Sequence, residues 1–327
     1  MSVKIPLPAE GQIKTEYPLS EALRIKKQRL DCELKRNLET RQRLTVVAGP
    51  CSADDEDAVL QYCGRLAELQ KQYSPLFIVA RVYTCKPHSN GEGYQGLCIT
   101  PHGAADVAQG LRCSRRLMLN VLKEGLPVAD ELLYPQLYRY FDDVISYAFL
   151  GARSSEDSFH RGVASGLDIL CGVKNSTGGR VESAVQSLYA VCKPNVFPFD
   201  GCQVQTDGCK YAHVVLRGGM DRQGYFSNMD GASTAKTKQL LENQGLCDFI
   251  MTDLSHANSG KVAKNQLENA KIAAADKNVN GVMAESYLLG GSGDGFGVSK
   301  TDECLSWDDT RRMLDILAEG FLARSSV

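Results

Sequence analysis

Past residue 43 the chain alternates two kinds of hydrophobic pattern. Short, continuously apolar runs rich in β-branched residues are separated by longer stretches whose apolar positions recur every three or four residues. The runs Leu44–Ala48, Leu76–Tyr83, Leu126–Leu132, Tyr147–Arg153, Leu170–Lys174, Ala212–Arg217, Phe249–Leu254 and Gly281–Ser286 are bounded by turn chemistry. They read as strands covered on both faces. Asp54–Tyr73 places Val59, Leu60, Cys63, Leu66 and Leu69 on one helical face, and Ala104–Glu124 does so with Val107, Leu111, Leu117, Leu119 and Leu122. Ser233–Gln244, Val262–Ala274 and Trp307–Leu322 follow the same period. Eight strands, each followed by a helix, close most naturally into an α/β (β/α)₈ TIM barrel. A doubly wound open sheet is the competing arrangement, but no G-x-G-x-x-G follows the first strand. Residues 1–43 stand outside the alternation as an N-terminal extension. Within it Ser20–Arg41 is a charged helix suited to capping the barrel floor or to subunit contact. Residues 44–327 are expected to form one barrel domain, with no internal repeat or low-complexity linker.

Composition narrows the function classes. A chain of 327 residues, 43% hydrophobic and 23% charged, can bury one large core. A net charge of −2 gives no electrostatic case for nucleic acid or a membrane surface. No run of about 18 apolar residues occurs to span a bilayer, and the opening M-S-V-K-I-P-L-P-A-E lacks the apolar core of a secretion signal. The twelve cysteines are scattered singly, without C-x-x-C pairs, and many lie inside apolar runs. Most are expected to be reduced core residues of a cytoplasmic protein.

In a barrel, polar residues at the C-terminal ends of strands line the active site. Here those ends are rich in fixed cations: Arg81 with Lys86 just beyond it, then Arg153, Lys174 and Arg217. Such a cluster repels itself unless an anion neutralises it, and guanidinium forks match carboxylate and phosphate oxygens. The implied ligand carries both groups. The competing reading pairs each cation with a nearby acid. Cys51, His256, Glu285 and Asp302 also fall near apolar run ends. Singly, Cys51 reads as a buried thiol and His256 as a core histidine. Together they mix soft and hard donors, suit one divalent Mn, Fe, Co or Zn ion, and leave positions open for substrate or water.

The ordered series G-P-C-S, A-R-V-Y-T-C-K-P, G-A-R-S-S-E-D-S-F-H-R, G-V-K-N-S-T-G-G, L-R-G-G, D-L-S-H-A-N-S, M-A-E-S-Y and K-T-D-E-C-L-S-W, from about Thr45 to the C-terminus, resembles the class I 3-deoxy-D-arabino-heptulosonate 7-phosphate (DAHP) synthases. The resemblance implies a metal-dependent barrel enzyme condensing phosphoenolpyruvate with erythrose 4-phosphate, the entry step to aromatic amino acids. It assigns Arg81 and Lys86 to the carboxylate side of phosphoenolpyruvate, and Arg153, Lys174 and Arg217 to its phosphate. Lys86 would also donate a proton at the aldehyde oxygen. Cys51, His256, Glu285 and Asp302 match the metal ligands. Pro87, His88 and Ser89 fall on the aldehyde site, where the family usually reads K-P-R-T; Gln95 stands nearby where a lysine is common. Both departures remove positive charge. They keep open a different aldehyde as second substrate, and a non-catalytic binding or regulatory relative is the remaining alternative. A homodimer or homotetramer is expected by resemblance alone.

Overall fold

The computed structural model describes residues 4–87 and 93–325. In chain order the strands are β1 (Leu44–Gly49), β2 (Leu76–Arg81), β3 (Val128–Glu131), β4 (Ile145–Leu150), β5 (Leu170–Lys174), β6 (Asn195–Phe199), β7 (Cys202–Thr206), β8 (Ala212–Leu216), β9 (Gly219–Asp221), β10 (Gly224–Phe226), β11 (Ile250–Asp253) and β12 (Val279–Glu285). The helices are α1 (Glu10–Glu16), α2 (Glu21–Thr40), α3 (Glu56–Gln70), α4 (Val107–Glu124), α5 (Ser158–Ser165), α6 (Val181–Val191), α7 (Gly231–Asn243), α8 (Asn265–Ala275) and α9 (Trp307–Ser325). A closed parallel barrel runs β1-β12-β11-β8-β5-β4-β3-β2, while β6–β7 and β9–β10 are antiparallel hairpins outside it. This is the (β/α)₈ barrel that the apolar runs predict.

Strand alternation divides the core in two. Val47, Val79, Ala129, Phe149, Val215, Met251 and Met283 point into the barrel and form one buried cluster. Their neighbours Val46, Ile78, Val128, Ala148, Val214, Ile250 and Val282 point outward into a second cluster with the helices. A period of two on a sheet buried on both faces requires this division. Gly172 leaves space inside: a Cβ there would stand 2.9 Å from the Val215 side chain and closer still to the Phe149 ring.

The extension helix α2 starts at Ser20, whose hydroxyl accepts from the Leu23 amide, and stops at Arg41, which turns left-handed at φ 53°. Its Leu34 and Leu38 join the inner barrel cluster from below. Asn37 fixes the junction by donating to the Arg43 carbonyl and to Thr45 Oγ1, both at 3.0 Å. Thus α2 closes the barrel floor.

Three features depart from expectation. A short 3₁₀ helix, Pro135–Tyr140, follows β3 in place of an α-helix. Strand β4 begins at Ile145 and ends at Leu150, because Gly151 starts a turn whose carbonyl accepts from the Ser154 and Ser155 amides. Arg153 therefore sits on that turn and not on the strand. The two hairpins and helix α1 lie outside the predicted alternation, whereas α5 and α6 follow β4 and β5 where it places helices. All twelve cysteines are free thiols, eight of them buried, and no described helix is long and apolar enough to cross a membrane.

His213 lies fully buried on β8, against the Tyr147 hydroxyl and 4.9 Å from the Phe249 ring centre. Burial lowers its pKa from 6.5 to about 4. The unfolded chain then binds more protons than the folded one between these values, so stability should fall as pH drops below about 6.5. Between pH 6.5 and 5 this amounts to about 2 kcal/mol for one group. Denaturant unfolding of the parent and His213→Phe at both pH values should show the smaller acid loss in the variant. Equal losses would mean that His213 already carries its proton in the fold.

Candidate active site

The strands' C-terminal ends open into a cavity of ≈ 520 Å³. Arg81 ends β2, Lys174 ends β5, Arg217 follows β8, and Lys86 and Arg153 come from the loops after β2 and β4; all five line the cavity. Lys261 and Lys300 join them, against the carboxylates Glu131 and Asp302. Seven basic side chains facing two carboxylates make the cavity a trap for an anion. The shape of the L-R-G-G turn depends on glycine. Gly218 has φ +74°, and a Cβ there would stand 2.6 Å from the Asn258 amide nitrogen. Behind it Asn175 Oδ1 accepts from the Arg217 amide at 2.8 Å, and Asn228 Nδ2 donates to the same oxygen at 3.1 Å.

Buried acids underlie Arg81 and Lys174, and the part-exposed Asp302 meets Lys86. Arg81 Nη2 donates to Glu285 Oε1 at 3.0 Å, and its Nη1 donates to the Pro50 carbonyl. Lys174 Nζ meets Asp253 Oδ2 at 2.9 Å. Lys86 Nζ lies 2.6 Å from Cys51 Sγ and 3.2 Å from Asp302 Oδ2. Arg81 and Lys86 thus do pair with acids, but inside the cavity and with groups singled out as metal donors, whereas Lys174 pairs with Asp253, which was not among them. Arg81 Nε remains buried without a hydrogen-bond partner, although such donors are almost always satisfied. Burial resists ionisation of Asp253, yet the His256 ring and the Lys174 ammonium outweigh it and hold the carboxyl well below its usual range. Glu285 is lowered likewise, against burial, by His256, Arg81 and Lys86. Burial also acts to lower the Lys86 pKa, but Cys51, Glu285 and Asp302 overcome it and raise it. The Glu285 and Asp302 carboxylates favour its ammonium form.

Ligand atoms of Cys51, Glu285 and Asp302 lie within 4.8 Å of one another. Three donors at metal–ligand bonds of roughly 2.0–2.3 Å fall within such a span, so this soft-and-hard set fits one divalent cation. His256 stands outside that group, although its Nε2 is 3.6 Å from Glu285 Oε1. Its backbone is left-handed, φ 53°, an uncommon state for a non-glycine residue that turns the ring toward the cluster. Asp253 Oδ2 lies 2.9 Å from His256 Nδ1, with Ser255 Oγ at 2.8 Å. A carboxylate on Nδ1–H leaves Nε2 with its lone pair for a metal. Asp253, Lys261, Lys300 and Glu131 escaped sequence reasoning. For Asp253 the signal was present, three residues before His256 in T-D-L-S-H. Of the aldehyde-site residues, Pro87 lines the cavity, while His88 and Ser89 lie outside the described residues.

Residues 36–315 match the family model described as the DAHP synthetase I family. The chain belongs to the DAHP synthetase I family. Its curated relatives include the Phe-sensitive phospho-2-dehydro-3-deoxyheptonate aldolase of Escherichia coli K12, 36% identical over 302 residues, covering 86% of this chain and 85% of that protein. The phospho-2-dehydro-3-deoxyheptonate aldolase of Corynebacterium glutamicum is 37% identical, with 85% of this chain and 80% of that protein covered. The phenylalanine-inhibited one of Saccharomyces cerevisiae is 33% identical over 96% of this chain and 91% of its own length. A solved phospho-2-dehydro-3-deoxyheptonate aldolase from Francisella tularensis SCHU S4 superposes with a TM-score of 0.92 at 29% identity, covering 99% of both chains.

Within this DAHP synthetase I fold, Asp253 supports both Lys174 and His256 while itself fully buried. Removing one partner of a buried ion pair leaves an uncompensated charge, at a cost of about 3–5 kcal/mol. Asp253→Asn should lose that much stability in denaturant unfolding. A loss under about 1 kcal/mol, as for an exposed pair, would show that Lys174 is neutralised elsewhere.

Proposed function

We propose that this chain condenses phosphoenolpyruvate with erythrose 4-phosphate to DAHP and inorganic phosphate, with one divalent metal ion. Family membership supports the reaction, and the single observation that carries it to these residues is the cation-lined cavity at the barrel's C-terminal end. Arg81, Lys174 and Arg217 come from three strand ends, and Arg153 from the turn after a fourth, so their charges converge on one anion. In this reading Arg81 and Lys86 receive the carboxylate of phosphoenolpyruvate, while Arg153, Lys174 and Arg217 receive its phosphate. The unpartnered Arg81 Nε supports a carboxylate oxygen above it.

Cys51, Glu285 and Asp302 would hold the metal, with His256 offering Nε2 as a further donor. When bound, the metal supplies Lewis-acid polarisation of the aldehyde carbonyl. The chain's own groups do the rest. The arginines and lysines align the enol carbon of phosphoenolpyruvate with the aldehyde carbon and neutralise the anions. As the new carbon–carbon bond forms, Lys86 donates a proton to the developing alkoxide. Water then adds at the cationic carbon that carried the phosphate ester; one of its protons returns to Lys86 and the other leaves with phosphate as the carbon–oxygen bond to phosphate breaks and the ketone forms. The Lys86 ammonium touches Cys51 and Asp302 one residue before Pro87, where this reading puts the aldehyde.

The test is turnover after chelation. Full-length protein stripped of metal should release no phosphate from phosphoenolpyruvate and erythrose 4-phosphate. Mn, Co, Fe or Zn should restore equimolar DAHP and phosphate, and Cys51→Ala should abolish that recovery. Full turnover in the stripped protein, or in the variant, would remove the metal from the reading. Because His88 and Gln95 stand where the family usually carries cations, a panel of other aldehydes accompanies the assay. Faster phosphate release with one of them would replace erythrose 4-phosphate as second substrate.

A further inference from the structure

The cations of the cavity differ in what neutralises them. Arg81 and Lys174 sit on the buried carboxylates Glu285 and Asp253. Lys86 and Lys261 share Asp302, at 3.2 and 3.3 Å. Lys300 has no carboxylate within ion-pair distance among the described residues. It is exposed at the cavity edge, one residue before Thr301 and two before Asp302. Its Nζ lies over the ring of Tyr94, 5.3 Å from the centroid. Tyr94 is itself anchored, its hydroxyl donating to the Ala53 carbonyl at 3.0 Å. Lys300 acts electrostatically on Asp54, whose buried carboxyl is engaged by the Tyr287 hydroxyl at 2.8 Å and the Asp55 amide at 2.9 Å.

An exposed cation over this half-buried ring is held weakly, by about 0.5–1 kcal/mol. The ring fixes where the ammonium stands but does not cancel its charge or consume its N–H donors. Lys300 is thus a positioned charge still open to an anion. Its placement gives the anion's identity. Tyr94 belongs to the same loop as Pro87, whose Lys86 amide donates to the Gln95 carbonyl at 3.0 Å and so brings the two ends of that loop together. This is the loop that carries His88 and Gln95 where family members usually carry cations. Lys300 reaches it from the segment after β12.

Resting on the function proposed above, we infer that Lys300 binds the phosphate of the aldehyde substrate, supplying from the β12 side the charge that the Pro87 loop lacks. An ammonium with three donors suits a terminal phosphate dianion. Lys300 is a binding residue for that phosphate. It acts on selection of the second substrate and has no part in bond making.

Three probes test this on the full chain. With erythrose 4-phosphate, Lys300→Met should raise KM for the aldehyde about tenfold to hundredfold, the range of one charge-assisted contact. KM for phosphoenolpyruvate and kcat should stay nearly unchanged, and Lys300→Arg should recover most of the loss. With unphosphorylated D-erythrose, parent and Lys300→Met should turn over alike. With glycerol 3-phosphate, which has the phosphate but no aldehyde, calorimetry on protein saturated with phosphoenolpyruvate reads the subsite without turnover. Binding should weaken at least tenfold in Lys300→Met. An unchanged KM for erythrose 4-phosphate, an equal loss with D-erythrose, or glycerol 3-phosphate binding that is absent or identical in both proteins would overturn the assignment. Failure of the parent to use erythrose 4-phosphate, with glycerol 3-phosphate binding still dependent on Lys300, would instead sink the proposed reaction and leave the phosphate subsite standing.

Discussion

The buried charge array at the C-terminal rim is the constraint on which the rest of the structure depends. Arg81, Lys174, Asp253 and Glu285 are all withdrawn from water. Each ion alone would cost several kcal/mol to bury, and the array is tolerated only because every charge meets an opposite one at close range. Arg81 with Glu285, and Lys174 with Asp253, tie β2 to β12 and β5 to β11 across the barrel mouth. The inner apolar cluster and the α2 plug beneath it supply the stability that permits such a rim. Apolar residues of similar volume would often be as stable or more so. The array therefore reads as a functional feature that the fold tolerates.

The same charges link the two parts of the site. Glu285 takes Arg81 on one side and faces His256 on the other. Asp253 takes Lys174 and orients His256. A change at any one of these groups is felt both by the anion cavity and by the metal donors, so effects of paired substitutions are expected to be non-additive. Lys86 bridges the two halves at the surface of the array.

Much of this was legible in the sequence. The eight barrel strands announce themselves because strands buried on both faces are apolar throughout, and the charged residues at their ends then stand out. Helix α2 could be bounded almost to the residue from Ser20 to Arg41, since both caps are local chemistry. Other elements left weaker marks. V-E-S-A-V-Q-S-L-Y-A-V in α6 carries a helical stripe, Val181, Ala184, Val185, Leu188 and Val191, but over only 11 residues, and α5 is a helix of 8 residues with Gly162 inside it. The hairpins are half-exposed, so their alternation is shallow. At the site, Asp253 was hidden inside a run read simply as strand, and the ion pairs join residues up to 216 positions apart. Lys300 could not be singled out without knowing that Tyr94, far along the chain, supplies its platform. The four-donor metal set was read as equal partners, whereas the fold brings three together and leaves His256 at the margin, held by Asp253.

The central claim is that the cation array is completed by phosphoenolpyruvate. A ligand that binds only the folded state raises its stability with concentration, by about 2.7 kcal/mol at a hundredfold excess over Kd. Thermal unfolding of the parent and Arg217→Ala, followed over a phosphoenolpyruvate series without aldehyde, measures this directly. The account predicts a melting temperature that climbs with phosphoenolpyruvate in the parent and climbs much less in the variant. A parent whose melting temperature ignores phosphoenolpyruvate, or a variant that responds as strongly as the parent, would contradict it.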